Sequence, residues 1–277
     1  MGFSDGSVGQ HCLVYNIGMS YIGTKDWGVE VSEGNVSGAS LVHKFGAAPD
    51  FDTGDNEVTI WDGAEDGTTW EQMVYTYSAT ADIQYISSEN AGDTETIEVQ
   101  GLDTNYDLVT QTKDLTGQTS ATLDTALIRI FRMKNIGSTD LAGHVFCSTT
   151  TAPAGGVPTA ANIRAMIHVG NNQTEMAVYT VPNGKTAHMR SFYSSTAGAS
   201  RSAEYSMKLK VRPFGQVFQL KHRWVLIDDT WVSEHHSYRE PQSFPAKTDI
   251  EITGQVLTAA ITGVNLIAGF DMVLIDD

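Results

Sequence analysis

Short stretches in which polar and apolar residues alternate recur along this chain, separated by turns. In the clearest, residues 204–212, every second residue is apolar and basic residues occupy the opposite face. Alternation with a period of two is typical of a β-strand with one buried face. We find no amphipathic helix longer than two turns. The alternation therefore predicts an all-β fold.

Two segments have the pattern of a strand, a tight turn and a second strand. The first is EVQGLDTNYDLVTQT at residues 98–112, and the second is VYTVPNGKTAHMRSFYSS at residues 178–195. Residues 101–105 and 182–185 supply Gly, Asn, Asp and Pro, which favour the backbone angles of turns. We therefore predict a β-hairpin at each segment.

The strands after residue 70 indicate the architecture. We predict roughly ten strands there, at spacings of about 10 to 15 residues with turn residues between them, which favours an antiparallel β-sandwich or jelly roll. Residues 1–70 differ, because Gly, Ser and Asp recur and regular periodicity is lacking. We expect residues 1–70 to form an acidic, loop-rich, extended N-terminal arm that becomes ordered on a partner. Residues 71–277 are then the sandwich domain.

Charge is distributed unevenly along the chain, whose net charge is −16. Residues 1–120 carry 20 acidic and 3 basic side chains, whereas residues 121–277 carry 13 and 14. Acidic surface repels a phosphate backbone, so we expect no direct contact with nucleic acid. The acidic part either serves solubility or faces a basic partner or a divalent cation.

The sequence contains neither a membrane-spanning pattern nor a set of cysteines that indicates a disulfide framework. No apolar run approaches the ~20 residues that span a bilayer, and the N-terminal residues lack a signal-peptide pattern, so we expect neither a membrane partner nor export. Cys12 and Cys147 lie far apart, and we expect two isolated thiols rather than a disulfide. Isolated thiols fit folding in a reducing cytoplasm.

We weighed two candidate metal sites. Glu234, His235 and His236 are the densest group of potential ligands, but adjacent residues of a strand point to opposite faces, which favours an exposed polar loop. Five acidic residues fall between positions 50 and 62, which leaves an acidic calcium loop as an alternative. An EF-hand is excluded there by the spacing of the ligands. The five acidic residues are Asp50, Asp52, Asp55, Glu57 and Asp62.

Two further patterns were weighed for carbohydrate chemistry. Asp228 and Asp229 could be paired carboxylates of a glycoside hydrolase, but the pattern favours a turn. A group of aromatic residues could stack on sugars, although in β proteins such residues more often fill the core. The group is Phe214, Phe218, Trp224, Trp231 and Tyr238. We assign no catalytic, cofactor-binding or metal-binding residue, and we predict no cofactor and no enzyme.

Three segments carry a resemblance to a known family: TIEVQGLDTNYDLVTQT (96–112), MAVYTVPNGKTAHMRSFYS (176–194) and AGFDMVLI (268–275). In this order, over about residues 70–277, the chain resembles a family of virion structural proteins of tailed, often marine, bacteriophages. That family offers no catalytic residues to carry over.

The resemblance implies a capsid cement or decoration protein that bridges and stabilises major capsid subunits. Its partners would be the major capsid protein and further copies of itself, as a homo-oligomer (dimer or trimer), in a virion assembled in the host bacterial cytoplasm. We expect that removing residues 1–45 weakens attachment and leaves the sandwich folded. Alternatives are a tail, connector or head-fibre component, a host-glycan-binding β-sandwich module, or an enzyme such as a depolymerase.

Overall fold

The computed structural model describes residues 25–51, 56–64, 68–197, 203–228, 232–258 and 264–277. These residues form one short α-helix, α1 (Trp27–Ser32), one 3₁₀ turn (Ala160–Asn162) and sixteen β-strands. All strand pairs are antiparallel, so the predicted all-β class is confirmed. The strands are β1 Ala39–Phe51, β2 Val58–Thr59, β3 Ile83–Ser88, β4 Thr96–Leu102, β5 Leu108–Asp114, β6 Ala121–Leu127, β7 Arg129–Asn135, β8 Val145–Ser148, β9 Ile163–Ile167, β10 Val178–Thr180, β11 Lys185–Ala197, β12 Ala203–Arg212, β13 Gln219–Asp228, β14 Val232–Phe244, β15 Asp249–Thr258 and β16 Val264–Asp276.

Two sheets form a sandwich, which we call the main sandwich. One has the strand order β1-β16-β11-β14, and the other has the order β10-β15-β12-β13, with β2 pairing beside β15. Side chains meet between the sheets: the Trp224 indole on β13 donates to the Ser194 hydroxyl on β11 at 2.8 Å. The Phe192 ring of β11 lies 4.5 Å from the Trp224 ring. Residues of both inner faces thus share one core.

Most connections of the main sandwich cross from one sheet to the other. If β1 and β10 to β16 are numbered one to eight along the chain, the sheets have the orders 1-8-3-6 and 2-7-4-5. Only the fourth and fifth of these strands, β12 and β13, are both consecutive and paired. The predicted hairpin at residues 178–195 is therefore wrong, because β10 pairs with β15 whereas β11 pairs with β14 and β16.

A second group of strands is inserted between β1 and β10, and we call residues 68–177 the inserted unit. Its sheets have the orders β6-β3-β8-β9 and β5-β4-β7. Strands β4 and β5 pair from Thr96 with Asp114 to Leu102 with Leu108, which confirms the hairpin predicted at residues 98–112. The single sandwich expected over residues 71–277 is thus two groups of sheets joined by a continuous core.

Part of the expected arm belongs to the main sandwich. Strand β1 pairs with β16 from Ala39 with Ile275 to Phe51 with Val264, and Phe51 is buried. Residues 1–24 of the expected arm lie outside the described residues. Removing residues 1–45 would delete half of β1, so the expectation that the sandwich survives this truncation is withdrawn.

Candidate interaction surfaces

Strand β13 is an outer strand of the main sandwich and carries exposed apolar side chains. Leu220, Val225 and Ile227 are 55%, 46% and 59% exposed. Val217, in the turn that leads into β13, is 77% exposed. Among the described residues β13 pairs with β12 alone, and exposed apolar side chains on such an outer strand favour contact with another chain. We call these four residues the β13 edge surface.

Strand β14 contains the three residues that the sequence analysis considered as a candidate metal site. Because Glu234, His235 and His236 lie in a strand, the loop expected there is corrected. His236 packs on Phe192 at 4.9 Å, and His235 is exposed on the other side. Within the described ranges, no group of three or more His, Cys, Asp or Glu side chains could hold a metal ion.

The aromatic residues weighed as a sugar platform fall into separate groups. Trp224 and Tyr238 pack around Phe192, with ring centres 4.5 and 5.8 Å away. Phe218 and Phe214 instead pack on rings of the inserted unit. Trp231 and Asp229 lie outside the described residues, and Asp228 ends β13. The four described aromatic residues of the group therefore do not form one platform.

The acidic residues between positions 50 and 62 are placed only in part, since residues 52–55 lie outside the described ranges. Glu57 accepts hydrogen bonds from Lys208, Lys210 and Thr253. Burial alone would raise the pKa of Glu57, but these hydrogen bonds lower it to about 2. Asp62 is buried, and loss of hydration raises its pKa well above the usual range. Glu57 therefore serves a salt-bridge network within the main sandwich.

The thiol of Cys147 is free and buried in β8, and burial raises its pKa to about 12. The other cysteine of the chain, Cys12, lies outside the described residues. A thiol with so high a pKa is unreactive at neutral pH. Cys147 is a core residue of the inserted unit.

A crevice of about 500 Å³ opens on the outer face of the β1-β16-β11-β14 sheet, where the pairing of β11 with β14 shifts register. In it Asp271 accepts from the Ser191 hydroxyl at 2.7 Å, and the His43 Nδ1 lies 2.7 Å from the other oxygen. A serine nucleophile is activated when its hydroxyl donates a hydrogen bond to a histidine nitrogen, which takes up the proton. Here the carboxylate stands between them, so the arrangement orders the crevice wall and does not activate Ser191.

A buried ionic network joins the main sandwich to the inserted unit. Asp249, which is 3% exposed, accepts from Arg129 at 2.8 and 3.2 Å and from Arg212 at 2.9 and 2.6 Å. The Thr180 hydroxyl adds a fifth bond at 2.6 Å. Burial alone lowers the pKa of Arg129, but the bonds and charge of Asp249 outweigh it and raise that pKa. The network fixes β7 of the inserted unit on β15.

Above this network lies a pocket of about 250 Å³, which we call the junction pocket. Aromatic rings and cations alternate around it: Arg129 lies 5.2 Å from the Tyr77 ring, and Lys247 lies 5.4 Å from the rings of both Tyr106 and Phe214. Sequence reasoning missed this pocket. Its one sequence signal was the basic face of residues 204–212, which ends at Arg212. Its lining includes Tyr77, Tyr106, Arg129, Arg212, Phe214, Lys247 and Asp249.

Within the described ranges, no helix is long and apolar enough to cross a membrane.

Comparisons with known proteins give no family. No protein-family profile and no curated protein matches the chain. Among solved structures, it is similar to the Cowpea mosaic virus top component, a naturally occurring empty particle, with 9% identity, a TM-score of 0.22, and coverage of 72% of this chain and 85% of that chain. It is also similar to infectious bursal disease virus, Gx strain, with 10% identity, a TM-score of 0.20 and coverages of 85% and 75%. At such low TM-scores the similarity carries no argument about function.

Proposed function

We propose that this chain is a non-enzymatic structural protein of a virus particle. The observation that carries the proposal is the strand order of the main sandwich, 1-8-3-6 facing 2-7-4-5. We infer from this order that the main sandwich is a jelly roll, in which eight strands form two facing sheets. Viral capsid domains are among the commonest users of that architecture. Because a fold alone does not define a function, the surface must support the same conclusion.

The β13 edge surface supports an assembly role. Leu220, Val225 and Ile227 are each about half exposed, so burying them completely would contribute roughly 1 kcal/mol per side chain. A contact of this size is weak for two isolated molecules. In a particle with many identical contacts, multivalency makes such an edge effective.

Within a virus particle, we propose the position of a capsid cement or decoration protein of a tailed bacteriophage. It would bridge neighbouring major capsid subunits and associate with further copies of itself. The resemblance of residues 96–112, 176–194 and 268–275 to phage virion proteins supports this position. A tail, connector or head-fibre position is the structural alternative.

The copy number of the protein in purified particles tests the proposal. Quantitative mass spectrometry should find it in hundreds of copies, in a fixed ratio to the major capsid protein. About six to twelve copies would instead indicate a tail or connector ring, as cyclic symmetry dictates. Absence from purified particles would refute a structural role in the virion.

A glycan-binding module is the second candidate, because jelly rolls also occur in lectins and the crevice beside β14 has a suitable size. The crevice is lined by Tyr238, whose ring packs on Phe192, and by the polar residues His43, Arg239 and Asp271. A glycan array with the purified protein, compared with a Tyr238→Ala variant, tests this function. Binding that the substitution abolishes would favour the lectin function over an assembly role.

A further inference from the structure

The junction pocket holds more positive charge than its own carboxylate can neutralise. Among the residues that the structure describes, Arg129, Arg212 and Lys247 line it together with one acidic residue, Asp249. Asp249 already accepts five hydrogen bonds, whereas a carboxylate offers about four lone-pair sites. It therefore has no remaining capacity for Lys247.

Two groups of the pocket keep donors for an additional anion. Among the described residues, no carboxylate lies within ion-pair distance of the Lys247 ammonium group, and none accepts from Nη1 of Arg212. The Lys247 group lies over the rings of Tyr106 and Phe214, and the Arg212 guanidinium lies 4.6 Å from the Tyr77 ring. Because the aromatic rings cover one side of each cationic group, an anion would approach both groups from the pocket opening.

The backbone at the pocket is held in an unusual conformation. Tyr106 and Lys247 have φ angles of 67° and 65°, in the left-handed region that side chains other than Gly rarely adopt. Asn183 donates to the Tyr106 carbonyl at 2.8 Å, and Lys247 donates through its backbone to the Val181 carbonyl at 2.8 Å. Such strain persists where the surroundings impose it, and it concentrates at binding sites.

We infer that the junction pocket binds the side-chain carboxylate of an Asp or Glu residue from a partner protein. Lys247 and Arg212 would donate to the carboxylate, and Tyr77, Tyr106 and Phe214 would enclose its aliphatic stem. A volume of about 250 Å³ accommodates one such side chain. Phe214, at the rim, is 61% exposed and would contact the partner's surface. Only the source of the carboxylate rests on the proposed assembly role.

The test uses the intact protein and N-acetylglutamate N-methylamide, whose one charge is the side-chain carboxylate. Amide chemical shifts should move around Tyr106, Phe214 and Lys247, with a dissociation constant on the order of millimolar. The glutamine analogue should produce no shifts. Lys247→Met should weaken binding ~10-fold, as loss of one ion pair predicts, and Lys247→Arg should restore most of it. Lys221→Met, on exposed β13, is the matched control and should bind as the wild type does.

Several outcomes would overturn the inference. These are shifts caused equally by the glutamine analogue, tighter binding of glucuronate or inorganic phosphate than of the glutamate derivative, or binding unchanged in Lys247→Met. Absence of any shift would also overturn it. Failure of this inference is distinguishable from failure of the proposed function, because carboxylate binding is measured on the isolated protein and copy number on particles.

Discussion

Replacing Asp249 by Asn should destabilise the protein by about 3–5 kcal/mol, the usual effect of removing one partner from a buried ion pair. The substitution preserves the shape of the side chain and removes its charge. Arg129, whose side chain is 8% exposed, then faces Arg212 without an intervening anion. The loss follows because the buried Arg129 and the partly buried Arg212 no longer have a carboxylate between them.

The structure also sets the relative size of this effect. Asn keeps one carbonyl oxygen, so the Thr180 hydroxyl can still donate to it, but the amide nitrogen replaces the oxygen that accepts three of the five bonds. Each lost charge-assisted bond contributes about 1.5–3 kcal/mol, with strong overlap between neighbouring bonds. The expected loss therefore lies near 4 kcal/mol rather than at the sum of three bonds.

Urea denaturation followed by tryptophan fluorescence at pH 7 measures the change in the unfolding free energy. Asp107→Asn is the control, because Asp107 is exposed and accepts one long bond from Asn183, at 3.2 Å. The control should change stability by less than ~0.5 kcal/mol. If Asp249→Asn costs less than ~1 kcal/mol, the reasoning is refuted, since a buried pair cannot be broken so cheaply.

Three further predictions concern buried groups. Burial lowers the pKa of Lys44 from 10.5 to about 7. Between these pH values the unfolded chain binds one proton more than the folded protein, so the unfolding free energy should rise with pH by up to ~1.4 kcal/mol per pH unit. Lys44→Met should flatten this rise, as measured by urea unfolding at pH 7 and pH 9. A Cβ at Gly46 would lie 2.4 Å from the Ala177 backbone nitrogen, so Gly46→Ala should lower stability by more than ~1 kcal/mol, and an unchanged thermal midpoint would contradict the packing. In a Cys12→Ser background, the Cys147 thiol should react with a thiol reagent only upon unfolding, and rapid reaction under native conditions would show that it is accessible.

The sequence predicted local pairing better than long-range pairing. The hairpin of β4 and β5 depends on neighbouring residues and a compact turn, and both were visible in the alternation. Residues 182–185 have equally good turn chemistry, yet they connect strands of opposite sheets. Turn residues specify how the chain reverses, whereas the sheet that receives the next strand depends on distant partners such as β15 and β16.

Strands β1 and β14 were not predicted from the sequence, for different physical reasons. In β1, Gly46 and its Ala neighbours are small because other backbone segments approach closely, and a run of small residues resembles a loop. Strand β14 is an outer strand with a mostly exposed surface and a Pro at position 241, which edge strands tolerate. Burial alternates along β1 from His43 to Ala48, but neither strand alternates polar and apolar residues in its sequence, so periodicity could not identify them.

The junction pocket was beyond sequence reasoning because its residues come from five separate parts of the chain. Tyr77, Tyr106 and Arg129 belong to the inserted unit, while Arg212 and Lys247 belong to the main sandwich. Only the docking of the two groups of strands brings these charges together. A basic strand face such as that of residues 204–212 is usually solvated, and nothing local shows that Arg212 meets a buried carboxylate.

The turn that misled the sequence prediction also helps to build the pocket. Because residues 182–185 carry the chain between sheets, Asn183 reaches the Tyr106 carbonyl of the inserted unit, and Val181 at the end of β10 accepts from Lys247. Tyr106 and Lys247, the two non-glycine residues with left-handed backbone angles at the pocket, are therefore held by hydrogen bonds to the same crossover. A hairpin at this position would have kept Asn183 within one sheet, away from Tyr106. The crossover of the main sandwich and the geometry of the junction pocket thus have one structural cause.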